Sequence, residues 1–483
     1  MTENLASDTA ADSTTERHSC SVMIGLEIHG YLALGSRRKL FCDCKIDPQA
    51  APNTTICPVC TAQPGSKPML PNREAIESIL KVAMLLGCTV NDRMLFQRKH
   101  YSWPDLPAGY QKTISGSYGI PSAEHGSFFG IRIKEIHLEE DPARWDPESG
   151  GVDYNRSGYP LMELVTEPDF EDAEQVGEWL KSFVDAMTYV EALEPQMGIK
   201  CDVNVSIAPD FIRTEVKNIN SIRSIKDAIA YEVWRQQHEA LTARGAGAPQ
   251  KQETRMFDPV SKKTLFMRSK EDAADYLFIP EPDLPIIEIP KEMLHRIRKA
   301  LPESPEAKYN RYIQQGLDRT DAGVIARNLG VAALFEQAAK ATDPMYASKW
   351  FRRDITAIAE EDTEGFARLS DYADQLCVLL DMASKKRITN AVVKDLLKLL
   401  TKQFVDIEKY IKEQGLELNY DIFSFEGVIN DAIATSPEAV ADVKAGKEKA
   451  LNAIVGKVMQ ATKGKAQPDR IKAIILKKLQ ETP

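Results

Sequence analysis

The chain has 483 residues, 43% hydrophobic and 27% charged, which at about 150 residues per domain is room for about three domains. A mean hydropathy of −0.33 and the lack of any run of about 18 apolar residues exclude a membrane-spanning helix. The formal charge of −10, from 61 Lys and Arg against 71 Asp and Glu, speaks against indiscriminate coating of nucleic acid.

Residues 1–20 are rich in Thr, Ser, Asp, Ala and Glu with no apolar centre, so they are expected to form a disordered arm and neither a signal peptide nor an anchor. From Val22 to about Pro290, short β-branched or alternating runs are broken by Gly, Pro, Asn and Asp. SVMIGLEIHGYLAL, GIRIKEIHLEE, VDYNRSGYPLMELV and IKCDVNVSI read as strands. Helical periodicity interrupts them at Arg73–Leu86, Ala173–Leu193 and Ser221–Leu241. Strands and helices mix without strict alternation, which predicts an α+β domain over 21–290 with an antiparallel sheet.

In the first strand, Glu27 and His29 are two residues apart and so share one face. Next come Cys42, Cys44, Cys57 and Cys60, two close pairs separated by a loop. Four thiolates at this spacing can surround one tetrahedral zinc in an insertion over 42–60, and four protein ligands leave no open position for catalysis. Such a cluster, with only four other cysteines in the chain, suggests metal in a reducing, cytoplasmic setting and not a disulfide framework. Arg98, Lys99 and Tyr101, the turn from Trp103 to Gln111, then Lys217, Asn218, Asn220 and Arg268 offer the aromatic, amide and cationic groups that a nucleotide pocket uses, as ordinary loops also do. HLEED (His137–Asp141) ends a strand on three acids, and Glu163 lies inside an apolar strand, where a carboxylate is costly unless paired or metal-bound. Converging carboxylates with one imidazole suit Mg²⁺ or Mn²⁺.

After EPDLPIIEIP the composition changes to Ala, Leu, Lys and Glu at helical spacing, which predicts a helical domain over 291–414 and a helical tail over 415–483. From Val443 onward ten Lys or Arg face three Asp or Glu, so the segment 443–483 carries +7 and everything before it −17. No G-x-x-x-x-G-K-[ST] phosphate loop, G-x-S-x-G elbow or Gly/Ser-rich amidase stretch is present.

Taken in order, IGLEIH, FCDC with CPVC, RKHYSWPDLPAGYQ, IHLEEDPARW, VDYNRSGYPLMELVTEPDF, CDVNVSI, EVKNINSIRSIKDAIAYE, QETRMFD, MRSKEDAADY and FIPEPDLP closely resemble the B-subunit family (GatB) of aspartyl/glutamyl-tRNA(Asn/Gln) amidotransferases. The segment from VINDAIATSPEAV to IKAIILKKL is similar to that family's YqeY-type tRNA-binding tail. The resemblance implies a cradle with a glutamine synthetase/guanidino-kinase-like sheet. It implies ATP-dependent phosphorylation of the side-chain carboxylate of Glu-tRNA(Gln) or Asp-tRNA(Asn), then amidation by ammonia from an amidase A subunit, with a small C subunit completing a heterotrimer. Under it Glu27, His29, Glu140 and Glu163 hold Mg²⁺, with Glu139 a less secure neighbour, and the four cysteines hold Zn²⁺ near the tRNA acceptor end. Arg98, Lys99, Tyr101, Lys217, Asn218, Asn220 and Arg268 bind nucleotide or substrate, and Lys444, Lys447, Lys463 and Lys465 bind tRNA. The chain departs from the family at EPQMGIKCDVNVS, with Lys200 where relatives carry Arg, and at PARW. The archaeal E-subunit relatives carry a synthetase-like insertion that is absent after EPDLPIIEIP. A non-catalytic zinc-containing tRNA-binding adaptor is the alternative, but an adaptor has no reason to bury acids in strands.

Overall fold

The computed structural model describes residues 21–194, 197–246, 251–269, 276–418, 425–444, 448–462 and 468–481. The expected arm at 1–20 therefore lies outside the described residues, as do Lys447, Lys463 and Lys465. The chain divides into two compact units, 1–304 and 305–483.

The first unit is built on strands β1 (Val22–Tyr31), β2 (Thr89–Val90), β3 (Arg93–Met94), β4 (Gln97–His100), β5 (Tyr110–Thr113), β6 (Ala123–Phe128), β7 (Ile131–Glu140), β8 (Arg144–Trp145) and β9 (Val152–Asp153). They are followed by β10 (Pro160–Thr166), β11 (Ile199–Ile207), β12 (Thr214–Ile219), β13 (Glu253–Asp258), β14 (Lys263–Ser269), β15 (Leu277–Pro280) and β16 (Ile287–Glu288). Twelve of these form one sheet whose main path runs β14-β13-β12-β11-β1-β10-β7-β5-β4-β15. The sheet is mixed and not antiparallel throughout, because β12 and β13 run parallel. Between them lies helix α3 (Ile222–Ala246), the crossover that a parallel pair requires.

Alternation along the strands sorts the sheet into two faces. Ile24, Leu26 and Ile28 of β1, Ile136 and Leu138 of β7, Met162 and Leu164 of β10, and Cys201, Val203 and Val205 of β11 enter one buried core. Three helices bring their apolar stripes to the same core: α1 (Arg73–Leu85) through Ile76, Ile79 and Leu80, α2 (Ala173–Tyr189) through Val176, Leu180 and Phe183, and α3 through Ile225 and Ile229. Asn72 caps α1 by accepting from the Glu74 amide at 2.9 Å, and Asp172 caps α2 by accepting from the Gln175 amide at 2.8 Å. Glu27 and His29 of β1, His137 and Glu139 of β7, Glu163 of β10 and Asp202 of β11 alternate with these residues on the polar face, whereas before the register shift opposite Val165 and Thr166 the parity of β7 is reversed and Ile131 and Ile133 join the core.

The first unit reaches Ser304, beyond the boundary expected at Pro290. Helix α4 (Lys291–Ala300) is amphipathic and returns Met293 and Ile297 to the sheet's core, while Arg296 pairs with Glu77 of α1 at 2.6 Å. The second unit is helical, with no strand among the described residues. It contains two apolar clusters, one from Tyr312 to Ile411 and one from Ile429 to Leu479. No described helix is long and apolar enough to cross a membrane.

Candidate active site and metal centres

The polar face of the sheet gathers its acids at the centre. His29 of β1 stands opposite Glu163 of β10, and Glu27 stands opposite Asp202 of β11. On the far side of β10, Glu163 faces His137 and Leu161 faces Glu139 of β7. His29 Nε2 consequently lies 3.6 Å from Glu163, 3.7 Å from Glu27 and 3.9 Å from Glu139. Glu27, His29 and Glu163 each present a ligand atom within 4.8 Å of the others.

Burial pushes Glu27 and Glu139 up to about 7, and the Glu163 charge beside each pushes in the same direction. Burial opposes a charge on His29, yet its hydrogen bond to Glu163 and the surrounding carboxylates outweigh that and raise it to about 9. Glu139 is 3% exposed, and its Oε2 is buried with no hydrogen-bond partner. Crowded carboxylates, an orphaned buried oxygen and one imidazole are a donor set that a hard divalent cation satisfies.

Glu140 is the exception among the four acids and imidazole expected together. It follows Glu139, so the pleat turns it to the opposite face, where its carboxylate accepts from Lys112 Nζ at 2.7 Å and from the Lys112 amide at 3.0 Å. The same parity separates Arg98 from Lys99. Arg98 makes a bidentate pair with Glu281 at 2.7 and 2.9 Å and lies over the Tyr110 ring at 4.5 Å. Lys99 instead sits on the carboxylate face, 4.8 Å over Tyr276, with Glu139 and Glu163 close enough to hold its charge. Tyr101 packs edge-on against Tyr276.

On the other flank, Lys217 Nζ bridges Asp202 at 2.7 Å and Glu215 at 3.0 Å beside Glu27. The Asn218 amide donates to the second Asp202 oxygen at 2.7 Å, and its side chain is exposed, as is that of Asn220. Arg268 is exposed on β14, four strands from β1 in the sheet order, or about 19 Å at ~4.8 Å per strand. Lys444 is exposed at the end of a helix (Pro437–Lys444) in the second unit. Asp202 and Glu215, neither of them expected from the sequence to be a metal ligand, join Glu27 in a second close acidic group. The alternation in KCDVNVS, read against that of GLEIH, carried the signal for Asp202. Lys200, the departure from the family pattern, is exposed opposite His29.

The four cysteines meet as a separate centre. One sulfur from each lies within 4.8 Å of the others, and Cys57 and Cys60 are 3.9 Å apart. A tetrahedron with ~2.3 Å zinc–sulfur bonds needs sulfurs about 3.8 Å apart, so the donors fit Zn²⁺ by chemistry and spacing. Contact with Cys42 is the largest cause lowering the Cys60 thiol, to about 4, and the Lys39 ammonium adds to it. Lys39 is only 1% exposed, and its Nζ lies 3.4 Å from Cys60 Sγ and 3.2 Å from the Tyr154 carbonyl. Ser157 Oγ donates to the Cys60 carbonyl at 2.8 Å, and Asn155 donates to that of Ala51 at 2.7 Å. The cysteine loop is thereby fastened to residues 153–157, just before β10.

Comparison with known proteins identifies the family. Residues 22–295 match a family model described as the GatB/GatE catalytic domain, and residues 333–479 match one described as the GatB domain. The B subunit of the aspartyl/glutamyl-tRNA(Asn/Gln) amidotransferase of Methanothermobacter thermautotrophicus is 40% identical over 458 residues, covering 94% of this chain and 99% of that protein. The B subunit of Methanococcus maripaludis is 37% identical over 473 residues, covering 95% and 98%, and that of Methanopyrus kandleri is 38% identical over 460, covering 93% and 96%. The chain belongs to the family of B subunits of the tRNA-dependent aspartyl/glutamyl-tRNA(Asn/Gln) amidotransferase.

Proposed function

We propose that the polar face of the sheet activates the side-chain carboxylate of Glu-tRNA(Gln), Asp-tRNA(Asn) or both, using ATP, and then converts it to the amide. The convergence of Glu27, His29, Glu139 and Glu163 at the sheet centre carries this reading. A carboxylate is a poor electrophile. Attack by one of its oxygens on the γ-phosphorus of ATP, with ADP leaving, gives an acyl phosphate. Ammonia then attacks the carbonyl carbon, gives up a proton, and expels phosphate. Glu27, His29, Glu139 and Glu163 would hold Mg²⁺, which when bound offsets phosphate charge and aligns the in-line attack. Lys99 and Lys217 flank these acids and would meet phosphate oxygens.

The ligand set differs from the sequence expectation in one member, with Glu139 in place of Glu140. The cysteines would hold Zn²⁺ as a structural clamp on the loop. With no amidase nucleophile of its own, the chain requires ammonia from an A subunit, with a C subunit completing the complex in the cytoplasm. The glutamine synthetase-like cradle, the division of the helical half near 414 and tRNA binding through Lys444 and the tail are parts of the same proposal.

The test is reconstitution with A and C subunits, ATP, glutamine and each mischarged tRNA, following amide formation and ADP release. Amide and ADP in equal amounts are expected. Tight tRNA binding with no ADP release on either substrate would leave the adaptor reading instead. Unchanged tRNA affinity after removal of 421–483 would refute the role of the tail.

A further inference from the structure

Trp103 comes from the turn before β5 and Trp145 from the short strand β8, and the two meet edge to face, with ring centroids 5.6 Å apart and planes at 86°. Trp103 is 56% exposed although it is among the largest apolar side chains in the protein, and the Arg144 side chain beside Trp145 is also exposed. We infer that the pair is a stacking platform for the 3′-terminal base of the aminoacyl-tRNA, with Asp105 accepting a hydrogen bond from that terminal nucleoside. This rests on the function proposed above and adds to it the groups that grip the end of the substrate.

The two segments are held in place by interactions that lead back to the carboxylates. The Ala143 amide donates to the Asp105 carbonyl at 2.9 Å, joining the Trp103 turn to the Trp145 hairpin. Arg156 donates to the carbonyls of Pro142 at 3.2 Å and Ala143 at 2.8 Å, and pairs with Asp141 at 2.8 Å. Asp141 in turn accepts from the Tyr31 hydroxyl at 2.8 Å, and Tyr31 is on β1, two residues beyond His29 and on its face. Trp145 follows Glu139 by six residues, so at ~3.3 Å per residue the platform lies within about 20 Å of that carboxylate. That is on the order of the extended length of an aminoacyl nucleoside.

Two further observations favour a nucleoside as the occupant. Asp105 Oδ1, two residues from Trp103, is buried with no hydrogen-bond partner, so an acceptor is left over beside the platform. Arg144 adds a cation suited to a phosphate next to a stacked base. An unpaired base on an open indole face needs no sequence code, which suits a terminus shared by different tRNAs.

The test uses the complex with A and C subunits and measures amidation against mischarged tRNA and against ATP. For Trp145→Ala and Trp103→Ala the KM for tRNA is expected to rise about tenfold, with Trp103→Phe recovering most of the loss and the KM for ATP moving less than twofold. A second measurement separates stacking from misfolding. The wild-type complex should bind uncharged tRNA about tenfold more tightly than the same tRNA lacking its 3′-terminal nucleotide, and W145A should bind the two equally. Unchanged KM for tRNA in both Trp→Ala variants, a rise in the KM for ATP in its place, or undiminished discrimination by W145A would each overturn the inference. Absence of amidation by the wild type would instead count against the proposed function, while the binding comparison would still read the platform.

Discussion

The cysteine cluster and the carboxylate group sit in one unit and are organised in opposite ways. The cysteines belong to a loop, supply four soft donors at tetrahedral spacing, and are tied by Lys39, Asn155 and Ser157 to a neighbouring segment. The carboxylates belong to three adjacent strands and supply hard donors from the middle of a sheet whose other face buries Ile28, Met162 and Leu138 behind them. A closed set of four thiolates stabilises a shape, whereas a hard donor set on an open polar face leaves room for phosphate. Exchanging a single donor should therefore have different consequences in the two places. Glu163→Gln should lower amidation by the reconstituted complex more than ~100-fold, past the 10–100-fold typical of outer-shell partners, with zinc content unchanged. Glu139→Gln should behave similarly. Full activity in either variant would remove that acid from the metal set.

The reverse pattern is expected in the loop. Cys57→Ser should reduce bound zinc from about one per chain to a small fraction and expose residues 42–60 to protease, while amidation by the surviving folded fraction falls far less than in Glu163→Gln. Zinc analysis and limited proteolysis read this directly, and retention of full zinc would refute a four-cysteine site. Lys39 extends the comparison one step outward. A Zn²⁺ ion with four thiolates carries an excess of two negative charges, and a nearly buried ammonium beside Cys60 offsets part of that. Lys39→Met should weaken zinc retention against a chelator by about tenfold, with Lys39→Arg intermediate. Equal retention by all three proteins would make Lys39 a packing residue.

How much of this the sequence revealed follows from what alternation can and cannot specify. The pairs Glu27/His29 and Cys57/Cys60 were legible because spacing within one segment decides whether two side chains meet. The strands around them were legible because β-branched alternation runs uninterrupted through GLEIH and CDVNV. Glu139 and Glu140 were not separable in this way. Two consecutive acids end the same strand, and only the register that sets Glu163 against His137 decides which of them faces the site. The same ambiguity put Arg98 with Lys99. The parallel β12–β13 pair was hidden by the antiparallel look of its neighbours, although a strand, a long helix and another strand in succession is itself a crossover signal. The compositional break at Pro290 is real in the sequence, but the apolar stripe of α4 finds its partner behind that break, against α1 and the sheet.

The smallest expected effect tests the parity argument most directly. Glu140 and Lys112 have side chains only 14% and 10% exposed, and Lys112 also lies 5.2 Å over the Phe41 ring on the face away from His29. Glu140→Gln keeps the volume and removes the charge, leaving an ammonium in a poorly solvated place. This should cost about 1–3 kcal/mol of stability, read as a lower denaturation midpoint. Amidation at a temperature where the variant is folded should change less than about threefold, because no donor is taken from the metal set. The double variant Lys112→Met/Glu140→Gln should recover part of the lost stability, since the uncompensated charge disappears with its partner. If Glu140→Gln instead matched Glu163→Gln in activity while holding its denaturation midpoint, Glu140 would be the ligand and the register of β7 against β10 would have to shift by one residue, turning Glu139 away from His29.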